Sequence, residues 1–137
     1  MKKKQIIGRR EFIDLPEINL FNIEAKIDTG AYTSAIHCEH IQEKNNELIF
    51  RIFPDSEMIY IKNFSKKNIK NSFGNSEDRY VIKTLIVIGK RKIRISLSLT
   101  NRAEMKYPVL LGRKAIKGKF LVDVSSKYIA NNRKTID

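Results

Sequence analysis

Asp28-Thr29-Gly30-Ala31, which follows the apolar lead-in Ala25-Lys26-Ile27, combines the residue types best suited to chemistry in this chain. A carboxylate on a tight turn at a strand end is presented to solvent on a fixed frame, and glycine at the third position admits backbone conformations closed to residues with a β-carbon. Thr29 adds a hydroxyl that can hydrogen-bond across to a second copy of the same turn. Two such turns meeting on a two-fold axis would bring two carboxylates so close that both cannot ionise, and the pair would share one proton. The deprotonated member then serves as general base on a water, while the protonated one hydrogen-bonds a substrate carbonyl. The turn sequence occurs once in 137 residues, so any such pairing would need a second copy of the chain.

A metal-based chemistry finds less support. The two histidines and the single cysteine fall together in His37-Cys38-Glu39-His40. No His-Glu-x-x-His helix accompanies them, and no further Cys or His exists to complete a tetrahedral shell, so no metal is expected. Cys38 reads as a small buried hydrophobe and the two His as surface groups. No Gly-rich Lys-Ser/Thr loop for nucleotide phosphates is present, and no cofactor is expected.

The elements that must position the turn are mostly strands. Residues 23–27, 48–53, 58–61, 80–88 and 92–99 are rich in β-branched or aromatic side chains. Ile93, Ile95, Leu97 and Leu99 should face one way, with Arg94, Ser96 and Ser98 facing the other. Gly89-Lys90-Arg91 reads as a hairpin connection, and the one helical pattern is short, at 113–117, stopped by Gly118. Many short strands without a repeat predict an all-β closed or partly closed barrel with one short helix. Residues 63–78 are polar, hold Gly74 and read on composition as a surface loop. The tail at 131–137 has little to bury and is expected to fray. Residues 1–137 read as a single domain, with 42% hydrophobic residues enough for one core.

Val109-Leu110-Leu111-Gly112-Arg113, an apolar run ending in Gly-Arg before the short helix, lies well downstream of Asp28. In this order the two motifs resemble the half-size, retroviral type of aspartic peptidase. More closely, the chain resembles a bacterial family of retropepsin-like proteins that goes under the name of ATP-dependent zinc proteases and is associated with ATP-grasp ligases that add glutamate to proteins. That resemblance runs through Ile7-Gly8-Arg9-Arg10-Glu11-Phe12, Leu15-Pro16-Glu17, Thr33-Ser34-Ala35-Ile36-His37, Arg79-Tyr80-Val81-Ile82, Asn101-Arg102, Met105-Lys106-Tyr107-Pro108 and Phe120-Leu121-Val122-Asp123 besides the turn itself. It implies a single-lobe acid-protease barrel that works as a homodimeric aspartic endopeptidase, with Asp28 catalytic, Thr29, Gly30 and Ala31 shaping the turn, and Gly112 and Arg113 supporting it from beneath. It also implies a flap over the substrate, with Gly74 as its candidate.

The chain departs from the retroviral pattern at Tyr32, four residues after the catalytic position, where an Asp usually pairs with the Arg of the Gly-Arg segment. Arg113 must then find another acceptor, a backbone carbonyl or a carboxylate such as Glu11. The zinc of the family's name is read as inherited nomenclature, because the donor set above is incomplete.

Charge bounds the partners. Lys and Arg number 27 against 15 Asp and Glu, a net charge of +12 that favours anionic partners. A peptide or protein substrate of acidic character fits both this charge and the resemblance to proteins that work beside glutamate ligases. Nucleic acid is disfavoured, since Lys2-Lys3-Lys4 and Lys90-Arg91-Lys92 read as solvated ends and hairpin turns. The alternative from another class is a non-catalytic peptide- or protein-binding module of the same fold that serves a partner ligase. No transmembrane run is present, and Gly8-Arg9-Arg10-Glu11 interrupts any apolar stretch a signal peptide would need. With one Cys no internal disulfide can form, which makes a reducing cytoplasm the default expectation.

Overall fold

Alternation along the longest strands explains how the barrel forms. The computed structural model describes residues 3–70, 73–101 and 106–131; Met1, Lys2, Arg102, Met105 and the tail beyond Asn131 lie outside them. In chain order the strands are β1 (Gln5–Gly8), β2 (Arg10–Leu15), β3 (Leu20–Ile27), β4 (Ser34–His37), β5 (Glu39–Lys44) and β6 (Glu47–Arg51). They continue with β7 (Ile59–Ile61), β8 (Phe64–Lys70), β9 (Ser76–Ile88), β10 (Arg91–Thr100) and β11 (Val109–Leu111), then helix α1 (Arg113–Ile116) and β12 (Phe120–Asp123). Ile93, Ile95, Leu97 and Leu99 of β10 are buried, and they meet Ile82, Ile86 and Ile88 of β9 inside. Apolar residues at every second position leave one face of each strand to be covered, and closure into a barrel covers it without an open edge.

The sheet runs β10-β4-β11-β3-β2-β9, and β9 pairs again with β10, so six strands close on themselves. With a single short α-helix among the described residues, this barrel has the form that the resemblance implies. β9 spans 13 residues, long enough to pair with β10 through Val81–Ile88 and to project a free end at Ser76 on which β8 pairs. Between β4 and β8 the chain inserts a three-stranded sheet, β5-β6-β7, whose Leu48 and Phe50 join the core together with Ile52 just beyond β6.

Several expectations are corrected here. The polar stretch read as a loop at residues 63–78 is largely strand: β8 and the start of β9 form a hairpin with Gly74 at its tip, φ +83°. Its side chains are exposed on both faces, so no alternation marked it in the sequence. The β9–β10 turn is Gly89-Lys90 alone, since Arg91 already pairs with Ile88. Asn131, expected at the start of the fraying tail, is half-buried, and its amide donates to the Phe12 carbonyl at 3.0 Å.

The chain ends are held by a buried carboxylate. Glu11, 1% exposed, accepts from the backbone N–H groups of Gly8 at 2.7 Å, Ile129 at 3.1 Å and Ala130 at 3.1 Å. Three donors on one carboxylate offset the cost of removing it from water. The same region pairs β1 with β12 in parallel, which joins the two ends of the described chain beside β2.

Candidate active site

Everything that fixes Asp28 is backbone or close to it. β3 ends at Ile27, and parallel β11 lies beside it with Leu111 opposite Ile27. The Asp28 N–H continues that ladder to the Leu111 carbonyl at 2.8 Å, and the Ala31 N–H closes the turn on the Asp28 carbonyl at 3.2 Å. From the other side, the N–H groups of Arg113 and Lys114 donate to the carbonyls of Ala31 and Tyr32 at 2.8 and 3.0 Å. The Gly112 N–H donates to the Ser34 hydroxyl at 3.0 Å. A β-carbon at Gly112 would sit 2.8 Å from the backbone carbons of Tyr32 and Thr33, so only glycine lets β11 pass this close beneath the turn.

The carboxylate itself is left largely free. Asp28 is half-buried, and its Oδ1 accepts one bond, from the Gly30 N–H at 3.1 Å. Among the described residues its second oxygen and the Thr29 hydroxyl have no hydrogen-bond partner. Gly30 does not occupy the left-handed region, contrary to the expectation of a backbone closed to other residues. What it supplies is room, because a β-carbon there would stand 3.3 Å from Asp28 Oδ1.

Arg113 solves the problem raised by Tyr32 with the backbone. Its Nη1 donates to the Thr29 carbonyl at 3.0 Å, and its guanidinium lies over the Tyr32 ring, 5.7 Å from the centroid. Glu11, the carboxylate offered as an alternative acceptor, is committed to its three N–H donors instead. Tyr32 is 58% exposed and stands beside the turn.

Next to the turn opens a cavity of about 560 Å³. Thr33 and Ser34 border it on the turn's trailing arm, Lys114 on the helix, Lys67 on β8, and Lys83 and Arg94 on β9 and β10. The turn residues Asp28, Thr29 and Gly30 stand outside this lining. Four cations face the cavity, and among the described residues no acidic side chain lines it. Arg94 is engaged by Glu17 through two bonds of 2.9 and 2.7 Å, which hold the Glu17 carboxyl below its usual range. Lys67, Lys83 and Lys114 have no ion-pair partner among the described residues. Sequence reasoning missed this lining because its cations are scattered from 67 to 114 and converge only through the barrel.

The residues around Cys38 do not fit a zinc ion. Cys38 is fully buried and donates weakly to the Ile36 carbonyl, and burial pushes its thiol far above the usual cysteine range. His37, expected at the surface, is half-buried, while His40 is exposed on a left-handed residue, φ 54°. Among the described residues no three His, Cys, Asp or Glu side chains are grouped to hold a metal. Also among the described residues, no helix is long and apolar enough to cross a membrane.

Comparison with known proteins agrees with this geometry. A solved structure of a Legionella pneumophila protein of unknown function superposes with a TM-score of 0.72 at 27% identity, covering 93% of this chain and 99% of that one. A protein named probable alpha-L-glutamate ligase from Shewanella pealeana is 39% identical over 135 residues, covering 91% of this chain and 30% of its own length. Another of that name, from Parasynechococcus marenigrum, is 35% identical, covering 93% of this chain and 30% of its length. The chain thus spans less than a third of the length of these curated relatives. The family model described as "Retropepsin-like aspartic endopeptidase RimB" matches residues 6–133, and the chain belongs to that RimB-like family.

Proposed function

We propose that this chain is an aspartic endopeptidase that acts as a homodimer on acidic polypeptide segments, with one Asp28 contributed by each copy. The observation that carries the reading is the Asp28 turn: a carboxylate with an unengaged oxygen, on a backbone tied to Leu111, Arg113 and Lys114. In the pair, one Asp28 holds the shared proton and the other is ionised. The ionised member takes a proton from water as the water oxygen attacks the peptide carbonyl carbon, and the protonated member hydrogen-bonds the carbonyl oxygen as it gains charge. A proton then passes to the departing amine, and the dyad returns to its starting state. The Thr29 hydroxyl, which has no hydrogen-bond partner among the described residues, bonds across the two-fold axis in this reading.

Substrate character follows from the cavity beside the turn. Three unpaired lysines and no acid favour carboxylate-bearing side chains, and the net charge of +12 steers such chains toward the protein. The β8–β9 hairpin, with Gly74 at its tip and Phe73 88% exposed beside it, serves as the flap that covers the bound chain.

The test is Asp28→Asn. Asn fills the same turn but cannot hold the shared proton or deprotonate water, and general acid–base catalysis contributes about 10² to 10⁴-fold in rate. With both members replaced, cleavage of an acidic peptide should fall by the upper end of that range or more. A variant that melts like wild type and still cleaves would place the catalytic group elsewhere.

A second reading draws on the relatives named as ligases, of which the chain matches about 30%. In it the domain binds acidic chains for a partner ligase without cutting them. A statine-type transition-state analogue separates the two, because only a catalytic dyad prefers it over a plain acidic peptide.

A further inference from the structure

The two densest basic runs of the chain, residues 2–4 and 90–92, lie some 86 residues apart in sequence, and their members Lys3, Lys4, Lys90 and Arg91 meet in the fold. Lys3, Lys4, Lys90 and Arg91 line one shallow cavity of about 480 Å³, with no acidic side chain in its wall among the described residues. Their frame is built and not frayed. The Gln5 side chain donates to the Ala130 carbonyl at 3.1 Å and accepts from the Lys90 N–H at 3.2 Å, so the N-terminal strand, the β9–β10 turn and the C-terminal segment are clamped by one amide. Arg91 adds a bond to the Lys3 carbonyl at 3.1 Å. Gly89, at φ +59°, is required for this approach, since a β-carbon there would lie 2.8 Å from the Gln5 Cδ and 2.9 Å from the Ala130 carbonyl oxygen. Four like charges held together on a fixed frame repel one another, a cost that a bound polyanion relieves.

The place is distinct from the Asp28 turn. Arg10, at one end of β2, pairs with Lys26 two residues before Asp28, while Asp14, at the other end, pairs with Val87 three residues before Lys90. Four strand residues, about 13 Å, separate the two registers.

We propose that Lys3, Lys4, Lys90 and Arg91 form a second anion-binding site that holds a part of an acidic polypeptide substrate away from the cleavage site. The polypeptide identity rests on the reading of the chain as acting on acidic segments; the anion site rests on the cluster alone. Nucleic acid is the weaker match because the lining carries no aromatic side chain on which a base could stack. Holding a substrate at two separated basic sites raises its effective concentration at the second once the first is engaged, which favours long acidic chains over short ones.

The experiment measures binding of a labelled oligoglutamate peptide to the Asp28→Asn protein, so that turnover does not enter. Lys4→Glu with Lys90→Glu should weaken binding about tenfold, while Lys44→Glu with Lys62→Glu, an equal change in net charge on exposed residues of β5 and the β7–β8 connection, should weaken it about twofold or less. Thermal melting of each variant confirms the fold. Equal weakening by both pairs, or by neither, overturns the site. An oligonucleotide of matched charge that binds more tightly than the peptide, and that Lys4→Glu with Lys90→Glu releases, overturns the polypeptide assignment. If this binding pattern holds while wild type never cleaves any peptide, the site stands and the peptidase reading falls.

Discussion

Two carboxylates, Glu11 on β2 and Asp28 just past the end of the neighbouring β3, are treated in opposite ways. Glu11 is buried and accepts three backbone N–H bonds, and those bonds hold the chain ends. Asp28 sits at the end of a strand whose backbone is fully tied, yet its side chain accepts one bond and keeps an oxygen free. The fold depends on the first carboxylate and not on the second. A group kept by a sequence but unused by the fold is where chemistry is to be looked for.

The sharpest way to break this contrast is to make the same kind of change at both places. Glu11→Ala leaves two buried N–H groups and one partly buried N–H group without a partner, and at about 1 to 3 kcal/mol for each buried group the loss should be about 2 kcal/mol or more, a large fraction of a marginal domain's stability in a urea titration. Glu11→Gln keeps the shape but turns an amide NH₂ toward at least one of those donors, with an expected loss of about 1 to 3 kcal/mol. Asp28→Asn, the same carboxylate-to-amide swap, should change stability by less than about 0.5 kcal/mol. If Asp28→Asn proves as destabilising as Glu11→Gln, Asp28 is a structural residue and the contrast fails.

How far the sequence showed this arrangement depends on what burial did to each segment. The later part of β9, from Tyr80, and β10 were legible because apolar residues alternate along strands with one buried face, and α1 because Gly118 stops it. β2 was not, because its inward positions are Glu11, Ile13 and Leu15, and a charged residue at the first of them breaks the alternation that marks a strand. That break was itself the signal: a Glu at an inward position must be satisfied by donors from elsewhere in the chain. The Asp28 turn was legible because its chemistry is local, Asp, Thr and Gly in succession. The lysines of the adjacent cavity and the meeting of residues 3–4 with 90–91 were not, since each depends on pairings between strands far apart in sequence.

Paired catalysis is tested most directly by mixing wild-type chains with Asp28→Asn chains and letting the dimers re-equilibrate before assaying acidic-peptide cleavage. A two-fold dimer with one carboxylate from each copy predicts that, in an equal mixture, dimers with two intact turns fall to about one quarter of the population. Activity should follow that fraction and vanish as the variant is raised in excess. Activity that stays proportional to the amount of wild-type chain, whatever the excess of variant, would show that one Asp28 acts alone and would contradict the shared-proton dyad.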